Sequence, residues 1–537
     1  MTTPSLPSST TGKQPGWFRA LPVVLLLAVL GFATLAMTRE WEKPLLDLHA
    51  FRQTQTAISA YYMAEDPGMF FDYITPVLGK PWSIPMELPA YQWVVARWHN
   101  LSGMGLDQSG KAISITLWFA CIWPVWRLLG ALGQSTAQRC ASLLLIYASP
   151  LYLYWGRSFM IESTGLFLSL GMVASIYTGY TKRNWRWLLA GLCFGIAAAL
   201  CKVTTWAVSV GVAELLILFA SGRFPKLKDL RWIMAASAGL IMPFIPAKLW
   251  LNYGDTFKAE NLFARDLILS TSANQRSWNF GTLDQKLDPA TWRHIGQHIA
   301  DQLLVPNAWT GGLLMGLVLT AGAICTPRRI PVIAIFIAGF AAGPLIFTNL
   351  YFEHNYYWFA NSIWLLLAIG TALGGIEERL PGQWPKLAPQ AIAVLMAVCG
   401  LVAWKARFLP ILQKLPDKQQ LAEAWTKPIQ RAVPVGKTLV IIGQDWNSTA
   451  LYYAGRKGIM LPSKSTDPFG DLNKSIALLD PSEAVGGVCI AQSMLTSNNQ
   501  ESIARALSLW GMSLQGQPSP FGVLFQVNVP PNALLKK

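Results

Sequence analysis

Long apolar runs separated by short polar segments dominate this chain. A helix needs about 20 predominantly apolar residues to cross a bilayer, and eleven runs approach that length. They lie near residues 19–38, 111–130, 139–155, 160–180, 186–201, 203–221, 232–251, 309–325, 330–349, 356–375 and 388–405. The pattern predicts a polytopic α-helical membrane protein with about eleven transmembrane helices.

Basic residues gather in alternate connecting segments. Lys and Arg are enriched in cytoplasmic loops, so the segments that carry them are predicted to face the cytoplasm. They contain Arg127 and Arg139; Lys182, Arg183 and Arg186; Arg223, Lys226, Lys228 and Arg231; and Arg328 and Arg329. The opposite, extracytoplasmic face then receives a long first loop (39–110), a second long loop (252–308) and the C-terminal region.

The two ends of the chain differ in texture from its middle. Residues 1–16 are rich in Ser, Thr and Pro, which predicts a disordered N-terminus. Residues 17–405 form the predicted membrane domain. After about residue 410, short segments of strand-like and helix-like pattern follow one another, at 438–442, 447–455 and 487–490. Residues 410–537 are therefore predicted to form a small extracytoplasmic α/β domain.

Composition supports a membrane protein. Of the 537 residues, 53% are hydrophobic and only 13% are charged, which is too apolar for a soluble chain of this size. The formal net charge of +15 is explained by cytoplasmic loops near anionic headgroups. Membrane lipids are thus expected partners, and nucleic acid is not. The seven cysteines are scattered and predict neither a disulfide framework nor a zinc site.

The first loop opens with an acidic residue followed by a helix-compatible stretch. Asp47 comes shortly after the first span, and a helix is predicted from about His49. Four polar residues would share one face of that helix: His49, Arg52, Gln53 and Thr56. The pattern is typical of a helix on the membrane surface. Its polar face is either simply solvated or reserved for a substrate.

Other ionisable residues fall on the same predicted face of the membrane. Glu87 is held between prolines in the first loop, and Arg157 and Glu162 lie at a short turn, where a mutual ion pair is the simpler alternative. Lys202 occupies another short turn, and His354 stands among five aromatic residues. Aromatic belts at membrane interfaces account for the rings but not for the imidazole.

This pattern resembles the GT-C class of membrane glycosyltransferases, in particular the protein O-mannosyltransferase and lipid A aminoarabinose transferase-like group. The shared features are the acid Asp47 after the first span, a Glu-Leu-Pro element at Glu87, a second acid at Glu162, and a His-x-Tyr-Tyr-like segment from His354. The resemblance covers roughly residues 17–405. The group more often has Asp-Glu in its first loop, where this chain reads Asp-Leu-His, and often Asp at the position of Glu162.

The resemblance implies a set of site residues. Asp47 is the implied catalytic base, with Glu162 and His49 as further candidate catalytic residues. The candidate substrate-binding residues are Arg52, Gln53, Arg157, Lys202, Tyr356 and Tyr357. Guanidinium and ammonium groups suit phosphate oxygens; for Arg157 and Lys202 the alternative is snorkelling to lipid headgroups.

A divalent metal ion is a further implication, because some relatives carry one near the Glu-Leu-Pro element. Glu87 and His354 would be the matching pair here, although two ligands are few for zinc. A hydrogen-bonded pair is the alternative. No other cofactor is expected.

The implied function is that of an inverting glycosyltransferase in a bacterial inner or plasma membrane. It would transfer a sugar from a polyprenyl-phosphate-linked donor to a lipid, glycan or protein acceptor on the extracytoplasmic side, where nucleotide sugars are absent. Two other classes stay open: a transporter or flippase of lipid-linked saccharides, and a polymerase or ligase that uses the same lipids.

Overall fold

A computed structural model describes residues 16–222, 227–303, 307–382, 387–461, 468–495 and 516–527. The N-terminus predicted to be disordered, residues 1–16, lies outside these ranges except for Gly16, which begins the first helix. Residues 223–226, which carry two of the basic residues used for the orientation, also lie outside them.

Helices make up nearly all of the first half of the chain. They are α1 (Gly16–Met37), α2 (Ala50–Glu65), α3 (Ala90–Ser102), α4 (Leu106–Ala120), α5 (Ile122–Ala131), α6 (Thr136–Tyr147), α7 (Pro150–Trp155), α8 (Glu162–Lys182), α9 (Trp185–Cys201), α10 (Val203–Ser221), α11 (Leu227–Ile241) and α12 (Phe244–Glu260). The apolar run 139–155 is divided between α6 and α7. The break falls at Pro150, which lacks the N–H that a continuous helix would need.

The second long loop and the rest of the membrane domain are helical as well. They contain α13 (Ala264–Leu267), α14 (Ala273–Phe280), α15 (Leu283–Leu287), α16 (Pro289–Leu303), α17 (Ala308–Cys325), α18 (Ile330–Ile346), α19 (Thr348–Glu353), α20 (Trp358–Arg379), α21 (Leu387–Arg407) and α22 (Leu409–Gln413). A 3-10 turn, Asn355–Tyr357, connects α19 to α20. The α20 helix packs against α6, α17 and α18 and is buried along most of its length.

Every predicted apolar run coincides with a helix or a pair of helices. Within the described part of the chain, seven are long and apolar enough to cross a membrane: Ala20–Met37, Leu106–Ala131, Val203–Ser221, Asp229–Glu260, Pro327–Ile346, Asn355–Arg379 and Leu387–Gln413. Trp185–Cys201 and Trp309–Cys325 are shorter apolar helices. The α8 helix carries many Ser, Thr and Gly residues and faces protein on nearly all sides. The prediction of a polytopic helical membrane protein is confirmed.

The basic connecting segments meet at one end of the helix bundle. Arg329 donates to the Gln138 side chain at 3.0 Å, Arg183 pairs with Asp229 at 2.5 Å, and the Arg127 guanidinium lies 4.2 Å from the centre of the Trp187 ring. The first loop, by contrast, contacts the opposite end of α8, where the Phe159 backbone N–H donates to Gln53 at 3.1 Å. The separation of basic and candidate site segments assumed in the sequence analysis is therefore present in the fold.

The helix predicted to lie on the membrane surface is instead enclosed by protein. Its polar residues Gln53, Thr54 and Thr56 are buried, because α3 covers one side of α2 and the C-terminal domain covers another. The Thr54 hydroxyl lies 2.9 Å from that of Ser448 in the C-terminal domain. The prediction that the polar face of this helix is solvated is therefore wrong.

The C-terminal region contains a small five-stranded sheet flanked by helices. Its elements are α23 (Lys418–Leu421), α24 (Lys427–Ala432), β1 (Thr438–Ile442), α25 (Thr449–Ala454), β2 (Gly458–Leu461), α26 (Pro468–Ala477), β3 (Val485–Ile490), β4 (Gln517–Ser519) and β5 (Gly522–Gln526). The strand order is β2-β1-β3-β5-β4; β2, β1 and β3 are parallel, whereas β5 runs antiparallel to β3 and β4. The α/β texture predicted for this region is confirmed.

The first loop extends this sheet. Residues 76–79 run antiparallel to β2 and exchange backbone hydrogen bonds with it, including Gly458 N to Pro76 O at 2.9 Å and Met460 N to Val77 O at 2.8 Å. Asn261 of the second long loop donates to the carbonyls of Leu78 and Gly79 at 3.2 Å. The C-terminal domain is thus tied by main-chain bonds to the loop that carries the candidate site.

Candidate active site

Asp47 lies in the short connection between α1 and α2. Gln53, one turn into α2, donates its amide to the Asp47 carboxylate, and the Tyr154 hydroxyl of α7 accepts from the adjacent Leu48 backbone N–H at 3.0 Å. The Gln53 carbonyl in turn accepts from the Phe159 backbone N–H at 3.1 Å. His49, the residue before α2, does not cap the helix with its side chain. The Asp47 carboxylate accepts from the Gln53 side chain. The acid is thus held in one orientation.

The electrostatics of Asp47 are those of a base in a poorly solvated place. Burial raises the pKa of its carboxyl above the ordinary value of 3.8, and the positive charge of Arg157 and the hydrogen bond from Gln53 oppose this shift. A carboxylate whose pKa is raised by burial binds a proton more readily than a solvated one. These are the properties that general-base catalysis requires.

Arg157 stands beside Asp47 at the turn between α7 and α8. It is buried, and its guanidinium donates to the backbone carbonyls of Arg39 at 2.6 Å and Glu40 at 3.3 Å. Lys111 of α4 binds the same connection between α1 and α2, donating to the carbonyls of Trp41 at 3.0 Å and Lys43 at 2.6 Å. Two buried cations therefore face the segment that leads to Asp47, which favours an anionic ligand.

His49 connects this acid to the aromatic segment after α19. Its Nε2 lies 2.9 Å from the Asn355 side-chain oxygen, and its ring centre lies 5.3 Å from that of His354 and 5.0 Å from that of Tyr356. Its backbone is left-handed, with φ of 54°. That conformation is uncommon for a residue other than glycine, and such residues concentrate at functional sites.

Both imidazoles are neutral at physiological pH. Burial lowers the pKa of His49, and burial together with the neighbouring Arg52 guanidinium and His49 ring lowers the pKa of His354 to about 3. The His354 ring stacks on Tyr356, with ring centres 5.3 Å apart, and Tyr356 stacks on Tyr357 at 4.9 Å. These three rings form an aromatic platform at the site.

Glu162 and Lys202 form a buried ion pair. Glu162 begins α8, where the helix dipole favours an acid, and Lys202 stands at the break between α9 and α10. Their side chains are 1% and 7% exposed. The Lys202 ammonium also lies 4.8 Å from the centre of the Tyr357 ring. Gly165 makes this approach possible, because a Cβ there would come within 2.8 Å of the Lys202 Cβ.

This pairing corrects one alternative from the sequence. Glu162 does not pair with Arg157, which is 3% exposed and bonded to backbone carbonyls. One oxygen of Glu162, Oε2, is buried and has no hydrogen-bond partner within the described part of the chain. A buried acceptor of this kind is available to a substrate hydroxyl or amine.

Arg52 and Glu87 form another pair at the edge of the site. The Arg52 guanidinium approaches Glu87 Oε1 at 3.4 Å and donates to Gln55 at 2.8 Å, while Gln92 donates to the same Glu87 oxygen at 3.1 Å. Arg52 also interacts electrostatically with Glu162, Tyr356 and Tyr357. The guanidinium therefore links the Glu87 side of the site to the aromatic platform.

The residues at this edge do not fit a metal centre. The Glu87 carboxylate already faces a guanidinium and an amide donor, and the cation Arg52 acts on His354 as well. Across the described ranges, no group of three or more His, Cys, Asp or Glu side chains converges. The Glu87 carboxylate of the predicted pair is thus already engaged by other side chains, and no chemistry is assigned to a metal.

Several residues of the site were not predicted from the sequence. Tyr154 accepts from the Leu48 backbone N–H next to Asp47, Asn355 bonds to His49, and Lys111 donates to backbone carbonyls of the segment before them. Lys111 had a signal, since a cation inside an apolar run marks a functional position or a buried partner. Tyr154 had none, because it reads as one more aromatic residue of a membrane helix.

One known family model matches part of the chain. Residues 83–250 match the family model described as dolichyl-phosphate-mannose-protein mannosyltransferase. This stretch contains Glu87, Arg157, Glu162 and Lys202. No curated protein matches the sequence at a significant level.

Comparison with solved structures covers nearly the whole chain. ArnT from Cupriavidus metallidurans bound to undecaprenyl phosphate matches with a TM-score of 0.62 at 13% identity, over 94% of this chain and 98% of that one. The apo state of the same protein matches with a TM-score of 0.62 at 12% identity, over 96% and 99%. The arabinofuranosyltransferase AftD from Mycobacteria matches with a TM-score of 0.50 at 14% identity, over 96% of this chain and 40% of that one.

At such low identity the structural matches establish the fold alone, and that fold is the one of GT-C glycosyltransferases. The match of residues 83–250 to a mannosyltransferase family model agrees with this fold. The resemblance stated from the sequence is confirmed at this level.

Proposed function

We propose that this enzyme transfers a sugar from a polyprenyl-phosphate-linked donor to an acceptor on the extracytoplasmic side of the membrane, with inversion at the anomeric carbon. The observation that carries the proposal is the oriented carboxylate of Asp47 beside the buried Arg157, at the end of the bundle away from the basic loops. The likeness to ArnT, solved with undecaprenyl phosphate, supports a donor of this class.

The proposed reaction is a single displacement. Asp47 accepts the proton of an acceptor hydroxyl while the oxygen of that hydroxyl forms a bond to the anomeric carbon. The bond from that carbon to the phosphate oxygen breaks, and its electron pair leaves with the polyprenyl phosphate. Arg157 and Lys202 are proposed to stabilise the departing phosphate, because charge-assisted hydrogen bonds strengthen as negative charge develops.

The other residues are proposed to bind and orient the reactants. Gln53 fixes the direction of the Asp47 carboxylate. Tyr356 and Tyr357 offer ring faces to the sugar, and Glu162, through its free oxygen, accepts from a sugar hydroxyl or amine. His49, neutral and bonded to Asn355, faces the same space. Arg52 completes the site as a fixed cation.

Two rival functions use the same lipids. A transporter or flippase binds its cargo near the middle of the membrane, whereas the candidate residues here gather at one end of the bundle. A polymerase or ligase shares both substrates and topology. It differs in its product, which carries more than one transferred sugar unit.

A transfer assay separates these functions. Purified protein in vesicles is given a polyprenyl-phosphate sugar labelled in the sugar, together with a cell-envelope extract as acceptor. We expect the label to leave the donor, to appear singly in the acceptor fraction, and to be matched by an equal amount of free polyprenyl phosphate.

Other outcomes of this assay contradict the proposal. Label that stays on intact donor while changing leaflet indicates a flippase, and chains of labelled sugars indicate a polymerase. Equal transfer from a nucleotide sugar excludes the lipid donor class. A reaction with heat-treated protein provides the background.

The proposed side of the membrane is tested separately. Cysteines are introduced one at a time at Ser482, an exposed residue of the C-terminal domain, and at Arg328 in a basic loop, in a background where the exposed Cys193 is replaced by Ala. In intact cells, an impermeant maleimide is expected to label Ser482→Cys and to label Arg328→Cys only after permeabilisation. The reverse pattern inverts the whole orientation.

A further inference from the structure

Two tyrosine hydroxyls hold the backbone on either side of Asp47. Tyr154 accepts a hydrogen bond from the Leu48 backbone N–H at 3.0 Å. Tyr453 accepts one from the Leu45 backbone N–H at 2.6 Å. The amides two residues before and one residue after Asp47 are therefore both fixed by phenol oxygens. No helix or strand includes this segment, so such bonds determine where the carboxylate lies.

Tyr453 belongs to the C-terminal domain, at the end of α25. Its hydroxyl also donates to Asp107 Oδ2 at 3.0 Å, while Tyr452 donates to Asp107 Oδ1 at 2.5 Å. Asp107 is buried in the first turn of α4. Because the Tyr453 proton is directed at this carboxylate, the oxygen lone pairs are left to face the Leu45 amide. The hydroxyl thus bridges the membrane domain and the segment that carries Asp47.

We infer that Tyr453 is a positioning residue, through which the C-terminal domain sets the place of the Asp47 carboxylate. This inference rests on the proposed function, in which Asp47 is the base. Its consequence is that the C-terminal domain takes part in the chemical step through one main-chain contact, in addition to covering α2.

The neighbouring Tyr452 provides a matched control. Both phenols donate to Asp107, so replacing either by Phe removes one hydrogen bond from the same buried carboxylate. Of the two, it is Tyr453 that contacts the Leu45 amide. If a fall in kcat comes from weakening the hydrogen bonds of Asp107, both variants should show it. If it comes from misplacing Asp47, only Tyr453→Phe should show it.

The test compares steady-state kinetics of Tyr453→Phe and Tyr452→Phe with a polyprenyl-phosphate sugar. A displacement of about 1 Å can cost about 100-fold in rate, so we expect Tyr453→Phe to lower kcat by about 10- to 100-fold with donor KM unchanged. Tyr452→Phe is expected to keep kcat close to that of the wild type. Equal kcat values in the two variants would overturn the inference.

A double-mutant comparison shows whether Tyr453 acts through Asp47. In an Asp47→Asn background, adding Tyr453→Phe is expected to leave the residual rate unchanged, since there is no base left to position. Independent, multiplying losses would indicate a general structural role instead. If Tyr453→Phe does not accumulate as folded protein, Tyr453→His takes its place with Tyr452→His as its control, and equal kcat values in that pair contradict the inference.

These outcomes separate the inference from the proposal on which it rests. Near-normal turnover of Asp47→Asn would remove the proposed base whatever Tyr453 does. An inactive Asp47→Asn with a fully active Tyr453→Phe would leave the proposed function in place and remove only the positioning role.

Discussion

Asp47→Asn is expected to lower turnover by about 10²- to 10⁴-fold, which is the usual contribution of a positioned general base. The amide oxygen of Asn still accepts the hydrogen bond from Gln53, so the geometry around residue 47 is kept. What is lost is the ability to accept a proton. Expression and donor binding should therefore be close to those of the wild type, and the loss should appear in kcat.

The pH dependence gives this prediction a second readout. Burial raises the pKa of Asp47, and the base is active only when it is deprotonated. Turnover of the wild type should therefore be constant above this raised pKa and fall as the pH drops through it, at a higher pH than for an ordinary Asp carboxyl. The residual activity of Asp47→Asn should lack this acid limb.

Glu214→Gln is the matched control. It makes the same carboxylate-to-amide change in the membrane domain, at a residue that accepts from Ser237 at 2.7 Å and lies outside the site. We expect its turnover and acid limb to match the wild type. Near-normal turnover of Asp47→Asn would remove the catalytic assignment and move the base to Glu162 or His49.

Lys202→Met is expected to produce a large loss of stability, because it leaves Glu162 buried without its cation. Breaking a buried ion pair by removing one partner typically costs about 3–5 kcal/mol. The double variant Glu162→Gln with Lys202→Met removes both charges and should regain most of the thermal stability measured in detergent. This recovery separates the structural contribution of the pair from its role with substrate.

The kinetics of that double variant test the phosphate assignment. Compared with Glu162→Gln alone, the double variant is expected to have a lower kcat and a raised donor KM with an unchanged acceptor KM, since the departing phosphate loses one of its two proposed cations. Arg183→Met, which removes a cation from the basic end of the bundle, is the control and should leave both values unchanged. A wild-type donor KM in the double variant would assign Lys202 to structure alone.

The membrane helices were predictable because their signal is local. A run of about 20 apolar residues has few structures available to it in a bilayer, and all eleven runs are helical. Strands β1 and β3 were also visible as Val- and Ile-rich runs. Strand β2 covers only Gly458–Leu461, and its pairing with residues 76–79 joins positions nearly 400 apart by number, so no local pattern could reveal it.

The failure at α2 has the same cause. Its sequence places polar residues on one helix face and apolar residues on another, as in a surface helix, and the domain that covers it comes almost 400 residues later. The site shows both cases. Asp47, Arg157 and Glu162 could be proposed as candidates from topology and residue type. Their partners could not, because the pairing of Glu162 with Lys202 and of Arg157 with backbone carbonyls depends on tertiary packing.

The stereochemical outcome of a single turnover tests the central claim most directly. With enzyme in excess over a polyprenyl-phosphate sugar of known anomeric configuration, the product is isolated and its configuration determined by NMR. Direct displacement assisted by Asp47 predicts inversion, with one polyprenyl phosphate released for each sugar transferred. A product with retained configuration would contradict this account, because it requires a covalent intermediate that single displacement does not form.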